Sequence, residues 1–349
     1  MKRMVPGLVL AGLLACAGMA TAATPLGGLA VAVSPSGDVL VAGGDNRALL
    51  VIDPAKMEAT SRAWLGVSIV ALEFNKDGSR LLVEDTDGTV HLVDAKTWQV
   101  LKAEKKAAQM AAAPGADLVA VLDADYNGNV VRVLAMTDLA EKGKAALPKG
   151  QKVAALGLNA DGTKLAVLME SVADEGEPKE TKVPADLKGA AAEEFRTNND
   201  GKTSQFVVFT VPAMEKAAEH KLNYSPSVTG ARILFSGDNA LVVNYSNVNA
   251  SVAPDGKVTV FQLGNSYNYG IGWSADQKVL LSGGLSEGTL TKLPATDGTT
   301  FKPDKLPSWP EYFKSFAVAP DGTAYGATSA FRVIRVKPDG GFDKGFPAY

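Results

Sequence analysis

Cysteine and histidine are nearly missing from this sequence. Among its 349 residues there is one cysteine, Cys16, and there are two histidines, His91 and His220. A disulfide needs two cysteines, and structural zinc sites are usually built from sets of cysteine and histidine side chains. Disulfides and cysteine-based zinc sites are therefore excluded. We expect both histidines to be ordinary strand or surface residues.

The sequence motifs of the common catalytic centres are also missing. No Gly-x-Ser-x-Gly motif occurs, so a serine hydrolase of that kind has no support. A phosphate-binding glycine loop, a dinucleotide-binding fingerprint and the zinc-protease histidine motif are absent as well. There is no Cys-x-x-Cys-His motif for haem attachment. We therefore predict no cofactor, with calcium as the one weak exception considered below.

Neither a strong charge nor a long apolar segment is present beyond the N-terminus. The chain has 35 basic and 38 acidic residues, a net charge of −3, so it lacks the basic surface that nucleic acids require. No segment reaches the 18 apolar residues of a membrane-spanning helix. With 46% hydrophobic and 21% charged residues, the composition is that of a folded protein. We expect a monomer without nucleic-acid partners.

The first 22 residues have the pattern of a secretory signal. Lys2 and Arg3 precede an apolar run over residues 4–17, and the small residues 20–22 follow it. This pattern predicts a signal peptide over 1–22 and a periplasmic or secreted chain over 23–349. Residues 13–16 also resemble a bacterial lipobox, so a lipoprotein anchored at Cys16 is the alternative.

A short phrase recurs seven times along the rest of the chain. Each phrase is a run of four or five residues with alternating apolar positions, followed by a small polar turn such as 34–37, 75–78 or 159–162 and then a β-branched run. The third turn residues lie at 36, 77, 115, 161, 238, 276 and 321, so the spacing is 38–46 residues except for one interval of 77. Short alternating strands at regular spacing predict an all-β repeat with four strands per unit.

Units of this size with four strands are typical of β-propeller blades. The first strand of every unit has a large apolar residue three positions before its turn: Val31, Leu72, Met110, Leu156, Ile233, Ile271 and Phe316. The position before the last residue of that strand is mostly small, and large residues facing small ones allow neighbouring blades to interlock near the axis. We predict a seven-bladed β-propeller as one domain.

Two segments resemble the bacterial YVTN and WD40-like propeller repeats. Residues 87–94 resemble the end of a WD40 repeat, with Val93 where tryptophan is common, and residues 49–54 resemble the YVTN counterpart. No Gly-His pair precedes any repeat. The resemblance implies a propeller with an adaptable binding surface and does not imply a particular reaction.

The long interval is explained by a charged insertion over residues 171–204, between the second and third strands of blade four. It contains a possible helix after Pro184, in which Leu187, Ala191 and Phe195 would share one face. We expect the insertion to stand over one mouth of the central channel. It is either a lid or partner-docking arm, or a solvated loop without function.

Aromatic residues concentrate in loops that a propeller would place on that same rim. They are candidates for binding a protein, peptide or envelope polymer, because tyrosine and tryptophan combine apolar area with a polar tip. The alternative is that they seal the ends of the blades. The candidate ligand-binding residues are Tyr224, Arg232, Tyr267, Asn268, Tyr269, Trp309 and Tyr312, with Tyr126 and Tyr245 in further loops of the rim.

Charged residues in the first strands give a second candidate site. Glu73, Gln109 and Arg232 interrupt otherwise small or apolar positions that face the channel. They could bind a polar ligand, although buried charges more often pair with each other or hold water.

Asp123, Asp125 and Asn127 have the spacing of the first half of a calcium loop, followed by Gly128. The position of the bidentate glutamate is Leu134, and flanking strands make an Asn-Gly hairpin the simpler interpretation.

Two functions remain open. The first is an exported, non-catalytic binding or scaffold protein that engages its partner through the aromatic loop face. The second is a propeller enzyme of the lactonase type, which the YVTN resemblance allows, with Glu73, Arg232 and Asn268 near the channel mouth. Glu73 is the only acid in the seven first strands, and this scarcity of candidate bases counts against the enzyme.

Overall fold

The fold is described by a computed structural model covering residues 27–125, 128–148, 151–170, 172–173, 182–224, 230–264, 267–285, 287–304 and 311–347. It is all-β with one α-helix, and its strands form six sheets, four of them of four strands, one of five and one of eight. The eight-stranded sheet contains two four-stranded units joined by a parallel pairing of Ile271 with Ser315. The strands therefore fall into groups of four that follow one another along the chain, which we call meanders 1 to 7.

Meanders 1 to 3 contain four strands each, ordered from the innermost to the outermost. Their strands are Leu29–Val33, Leu40–Gly44, Ala48–Asp53 and Glu58–Trp64 in meander 1, Ile69–Phe74, Arg80–Asp85, Val90–Asp94 and Val100–Glu104 in meander 2, and Ala108–Ala113, Leu118–Asp125, Gly128–Ala135 and Glu141–Ala146 in meander 3.

Meanders 4 to 7 repeat this order. Their strands are Val153–Leu158, Lys164–Met169, Lys202–Thr210 and Lys216–Leu222 in meander 4, Arg232–Ser236, Asn239–Val243, Asn249–Val252 and Val258–Phe261 in meander 5, Gly270–Trp273, Val279–Gly283, Gly288–Lys292 and Gly298–Phe301 in meander 6, and Phe313–Val318, Ala324–Thr328, Arg332–Val336 and Phe342–Pro347 in meander 7.

The turn after each innermost strand explains the repeated phrase of the sequence. In meander 2 the Asn75 side chain accepts a hydrogen bond of 2.8 Å from the Arg80 N–H, at the start of the next strand. Asn159 does the same for Lys164 in meander 4 at 2.8 Å. Gly78 adopts a left-handed φ of +72° in this turn, a conformation that favours glycine. A short polar residue with glycine three positions later is therefore the chemistry that reverses the chain at this point.

The core consists of apolar clusters between neighbouring meanders. In the described part of the chain there are seven such clusters, and each joins one meander to the next. One of them packs Leu29 and Val31 of meander 1 against Ala327 and Val333 of meander 7, so the first and last meanders are in contact. Val31 N–H also donates to the Ser315 hydroxyl at 3.3 Å. Sheets packed face to face around a common axis form a β-propeller. This molecule is therefore a β-propeller with about six to seven blades.

The innermost strands approach so closely that small residues are required there. A Cβ atom on Gly157 would overlap the carbonyl oxygen of Ile233 in the next meander, and one on Gly272 would overlap that of Phe316. The prediction of small residues facing large ones therefore has a direct steric basis at these two positions.

The segment between the second and third strands of meander 4 differs from our expectation. Its helix, Gly189–Asn199, begins after Leu187, and its buried residues are Ala192 and Thr197, whereas Ala191 is exposed. The helix contacts Val258–Phe261, the outermost strand of meander 5. The predicted helix face was wrong, and the described part of the segment lies against the outside of the next sheet. The short strand Val172–Ala173 pairs with the start of Lys202–Thr210.

Candidate functional site

A cavity of about 720 Å³ lies at the centre of the molecule. Innermost strands of all seven meanders contribute to its walls, so it lies along the axis around which the sheets are arranged. A volume of this size is typical of sites for small molecules. In the described ranges, no helix has the length and apolar character needed to cross a membrane.

Four tyrosines form a continuous cluster at one mouth of this cavity. The rings of Tyr245 and Tyr269 meet edge to face, with centroids 4.8 Å apart and planes at 89°. Tyr267 lies 5.3 Å from Tyr245, and Tyr312 lies 4.7 Å from Tyr269. Distances of this size are those of favourable aromatic pairs. Three residues of the predicted aromatic face, from two separate connections between meanders, are thus brought together. We call these four residues the tyrosine cluster.

The backbone holds the tyrosine cluster in place. Tyr245 lies between the second and third strands of meander 5, and its carbonyl accepts the Asn268 N–H at 3.0 Å. Tyr269 precedes the innermost strand of meander 6 and donates its N–H to Gly283 O at 2.8 Å. The Tyr312 N–H donates to the Ser329 hydroxyl at 2.9 Å. Three of the four rings, those of Tyr245, Tyr269 and Tyr312, therefore lie on loops that are hydrogen-bonded to neighbouring segments.

The outer side of the tyrosine cluster is open to solvent. Tyr267 is 49% exposed, and Leu285, whose backbone pairs with Tyr312, is 52% exposed. The Lys314 ammonium lies 5.8 Å from the centroid of the Tyr312 ring, within cation–π distance. A hydrogen bond with Tyr245 and partial burial raise the pKa of Tyr269 above its usual value. The cluster thus offers an apolar edge beside a cation.

Two other predicted binding residues support this surface from beneath. Tyr224 is fully buried, and its hydroxyl donates to Val248 O at 2.8 Å and accepts from the Asn244 amide at 2.6 Å. Asn268 is also buried, and its amide donates to Asn244 O at 2.9 Å. Burial raises the pKa of Tyr224, so its hydroxyl stays protonated. Neither side chain lies on an exposed binding surface.

Glu73 and Arg232 line the axial cavity, as the sequence predicted. The Glu73 carboxyl is enclosed by protein but keeps partial contact with the space inside the cavity. This desolvation raises the pKa of Glu73 to about 8. At neutral pH the side chain is therefore mostly protonated and uncharged.

Among the described residues, Gln109 links neighbouring meanders by hydrogen bonds. Its N–H donates to Glu84 at 2.8 Å, and its amide donates to Val153 O in the next meander at 3.2 Å. Glu84 is buried and also accepts the Met110 N–H at 2.9 Å. Burial raises the pKa of Glu84, although the charge of Arg232 and these hydrogen bonds oppose the shift. The hydrogen bonds of Gln109 to Glu84 and to Val153 thus connect meanders 2, 3 and 4.

The calcium candidates lie at a hairpin. Strand pairing continues from Asp123 opposite Val130 to Asp125 opposite Gly128, which is the hairpin arrangement that we considered as the simpler interpretation. Asn127 and Tyr126 lie outside the described residues, as does Trp309 of the aromatic candidates. Among the residues that are described, no group of three or more histidine, cysteine, aspartate or glutamate side chains is placed to hold a metal ion.

The histidines occupy ordinary positions. His91 lies in a strand of meander 2, with its Nε2 2.7 Å from Asp85. Burial pushes the pKa of Asp85 upwards, but hydrogen bonds from His91 and Thr89 outweigh it and leave that pKa below its usual value. His220 Nε2 is 3.1 Å from Pro254 O at an exposed strand.

Sequence reasoning missed Leu285 and Lys314 as members of the site and did not include Tyr245 among its binding residues. Their loops carry no distinctive motif, and only the closure of meanders 5, 6 and 7 around the axis brings them to one mouth. For Tyr245, its position in a loop of the same rim was the available signal.

Comparison with known proteins shows the fold. No family model matches the chain, and no curated protein matches it. Among solved structures, it is similar to the β-propeller domain of Cps50 (Swd1) from Myceliophteria thermophila, with a TM-score of 0.57, 12% identity and coverage of 86% of this chain and 95% of that one. It is also similar to hydrazine synthase from Kuenenia stuttgartiensis, with a TM-score of 0.57, 14% identity and coverage of 86% and 92%. At these identities the likeness concerns the propeller fold alone.

Proposed function

We propose that this protein is an exported, non-catalytic β-propeller scaffold whose tyrosine cluster binds a protein or peptide partner. The observation that carries the proposal is the contiguity of four tyrosine rings with the exposed Leu285 at one mouth of the axial cavity. Tyrosine is enriched at protein interfaces because its ring supplies apolar contact area while its hydroxyl still forms hydrogen bonds.

The scaffold has seven blades in this proposal, one for each meander, and residues 171–204 form an insertion in blade four. The seven apolar clusters of the described residues support this number, because each joins one pair of neighbouring meanders. The relationship to YVTN and WD40-like repeats belongs to the same proposal and rests on the residue patterns at 49–54 and 87–94.

Export rests on the sequence pattern of residues 1–22, which lie outside the described residues. Cleavage after Ala22 gives a soluble periplasmic or secreted chain, whereas lipidation at Cys16 gives an anchored one. Intact mass of the protein purified from its native envelope fraction distinguishes the two, because only the second adds acyl chains.

The binding surface is tested by site-specific photocrosslinking. A photoreactive phenylalanine analogue at position 267 is expected to crosslink a discrete partner in a native envelope extract. The same analogue at Trp64, which is 68% exposed on an outermost strand, is the matched control. The analogue at position 312 is expected to crosslink the same partner in the otherwise unchanged protein. It should fail to do so when Tyr267→Ala and Leu285→Ser are added, with little change in Tm.

Equal crosslinking from positions 267 and 64 would contradict the proposal. Binding of the protein to a purified cell-envelope polysaccharide, without a crosslinked protein partner, would also overturn the proposal in favour of a polymer-binding surface.

A lactonase-type enzyme is the second candidate, and Glu73 is the observation that favours it. A carboxyl with a pKa of about 8 inside a cavity can exchange protons near neutral pH, as a general acid or base must. Only Glu73 and Arg232 of its three proposed residues line the cavity, since Asn268 is buried among other asparagines. Hydrolysis of a lactone panel that disappears in Glu73→Gln would establish this function, and an inactive wild-type protein would rule against it.

A further inference from the structure

The axial cavity has a charge opposite to that of the whole chain. The protein carries a net charge of −3, but cations outnumber carboxyls by four to two among the side chains that line the cavity. The cations are Lys76, Arg232, Lys278 and Lys314, and the carboxyls are Glu73 and Asp276. The Lys278 ammonium lies 3.3 Å from the Asp276 carboxylate, which leaves Lys76, Arg232 and Lys314 with Glu73 in the lining.

Two of these cations form no salt bridge within the described part of the chain. Neither Arg232 nor Lys314 forms an ion pair with a described carboxylate, although both are only partly exposed. Burial lowers the pKa of Lys314, and the charge of Asp45 only partly opposes this shift. By contrast, Arg132 lies within 2.6 Å of Glu104. Partly buried charges are costly unless they are paired, so a bound anion would stabilise this arrangement.

Glu84 does not take the place of that anion. It influences Arg232 electrostatically, but its two oxygens accept the N–H groups of Gln109 and Met110. The N–H donors of the Arg232 guanidinium make no hydrogen bond to any other described residue. They are therefore available to a ligand in the cavity.

The cavity is also polarised along its length. Arg232 and Lys314 are the first and second residues of their innermost strands, close to the tyrosine cluster, whereas Glu73 is the fifth of six residues in Ile69–Phe74. The innermost strands of meanders 6 and 7 run in the same direction, because Ile271 pairs with Ser315 in parallel. Every meander begins with its innermost strand, so we infer the same direction along the axis for the others. Glu73 therefore lies deeper, and its protonated carboxyl is a hydrogen-bond donor for an acceptor at that level.

We propose that the axial cavity binds a small organic anion, with the anionic group held by Arg232 and Lys314 and a hydrogen-bond acceptor of the same molecule directed towards Glu73. Arginine suits this role because its planar guanidinium can bind carboxylate or phosphate through two parallel hydrogen bonds. This site shares Lys314 with the surroundings of the tyrosine cluster, but its lining does not include the exposed Tyr267 and Leu285. It is therefore a second binding function and does not require the first.

Isothermal titration of the purified protein with citrate and with inorganic phosphate at pH 7 tests this proposal. We expect saturable binding of one citrate per chain and at least a tenfold weaker Kd for Arg232→Gln and Lys314→Gln. Trp273 lines the cavity, so citrate should also change its emission, and Trp273→Phe should lose that change. Binding of phosphate without citrate would support the same site with a phosphate group as the ligand.

Arg62→Gln and Lys142→Gln are the matched controls, because both residues are exposed on outermost strands far from the axis. They should bind citrate as the wild type does. No binding of either probe up to about 10 mM would overturn the proposal, since that corresponds to less than about 3 kcal/mol of affinity. So would equal weakening by the surface controls. Crosslinking at position 267 is unaffected by Arg232→Gln if the two sites are independent, so either proposal can fail without the other.

Discussion

Two arginines of this propeller differ in whether they form a salt bridge. Arg332 in meander 7 is buried, and its guanidinium donates to both oxygens of Glu311, at 2.9 and 2.6 Å, and to Asp304 O at 2.7 Å. Arg232 in meander 5 lines the axial cavity, where it faces an uncharged Glu73 and no paired carboxylate among the described residues. The first site is complete without any other molecule, whereas the second is complete only with a ligand.

This difference separates structural charges from functional ones. A buried ion pair with all its donors satisfied holds two chain segments together, and removing one partner leaves an uncompensated charge. A cation that borders a cavity has water as its alternative partner, so its removal costs the fold little but changes what the cavity binds.

The largest effect is expected at the complete pair. Arg332→Gln leaves the Glu311 carboxylate buried without a counter-ion, and we expect a loss of about 3–5 kcal/mol in the free energy of unfolding. Denaturant titration followed by circular dichroism measures it, with Arg62→Gln as the exposed control. A loss below about 1 kcal/mol, which is usual for exposed pairs, would show that the Glu311 site is not sealed from water.

An intermediate effect that depends on pH is expected at Glu73. Its pKa is raised to about 8 in the folded protein from an ordinary value of 4.5, so the folded state holds its proton more tightly than the unfolded state. The resulting stabilisation is complete below pH 4.5 and is lost as pH rises through about 8. Glu73→Gln does not ionise, so its Tm should match the wild type at pH 4 to 5 and exceed it at pH 9.

Calorimetry at several pH values measures this difference. Because the side chain keeps some contact with water, we expect about 2–3 kcal/mol at pH 9. The other charged groups that line the cavity are Lys76, Arg232, Asp276, Lys278 and Lys314. Burial lowers the pKa of Lys314, and the Lys314→Gln variant controls for its titration. A difference between wild type and Glu73→Gln that does not change with pH would mean that Glu73 is solvated and ionised throughout.

The smallest effect on stability is expected at the open site. Arg232→Gln removes no ion pair with a described residue, so the free energy of unfolding should change by less than about 1 kcal/mol. The same denaturant titration used for Arg332→Gln measures it. A loss as large as that of Arg332→Gln would remove the distinction between the two arginines and assign Arg232 to the framework.

Much of the fold could be predicted because its signals are local. The Asn75 and Asn159 turns, the alternating innermost strands and the position of the long segment in meander 4 all depend on residues within a few positions of each other. The location of the Gly189–Asn199 helix could not be predicted in this way. Its place is decided by contact with the outermost strand of meander 5, some sixty residues further along the chain.

The candidate site was predictable only in part. Sequence placed Tyr267, Tyr269 and Tyr312 on one rim. In the structure Tyr245 contacts both Tyr267 and Tyr269, and Tyr312 contacts Tyr269. The sequence does not distinguish these residues from Tyr224, because a tyrosine in a loop can turn towards solvent or towards a neighbouring sheet. Tyr224 turns towards the neighbouring sheet, where its hydroxyl forms hydrogen bonds with Val248 and Asn244.

By itself, the sequence determined the repeated four-stranded unit and the lack of thiol chemistry, since strand alternation and turn chemistry are properties of short segments. Only the tertiary structure decided which side chains share the axial cavity. Arg232 and Glu73 are about 160 residues apart and belong to different sheets, and packing of those sheets around one axis gives them a common space. The charge of that space and the desolvation of Glu73 follow from ring closure, because burial is a property of all the surrounding strands together.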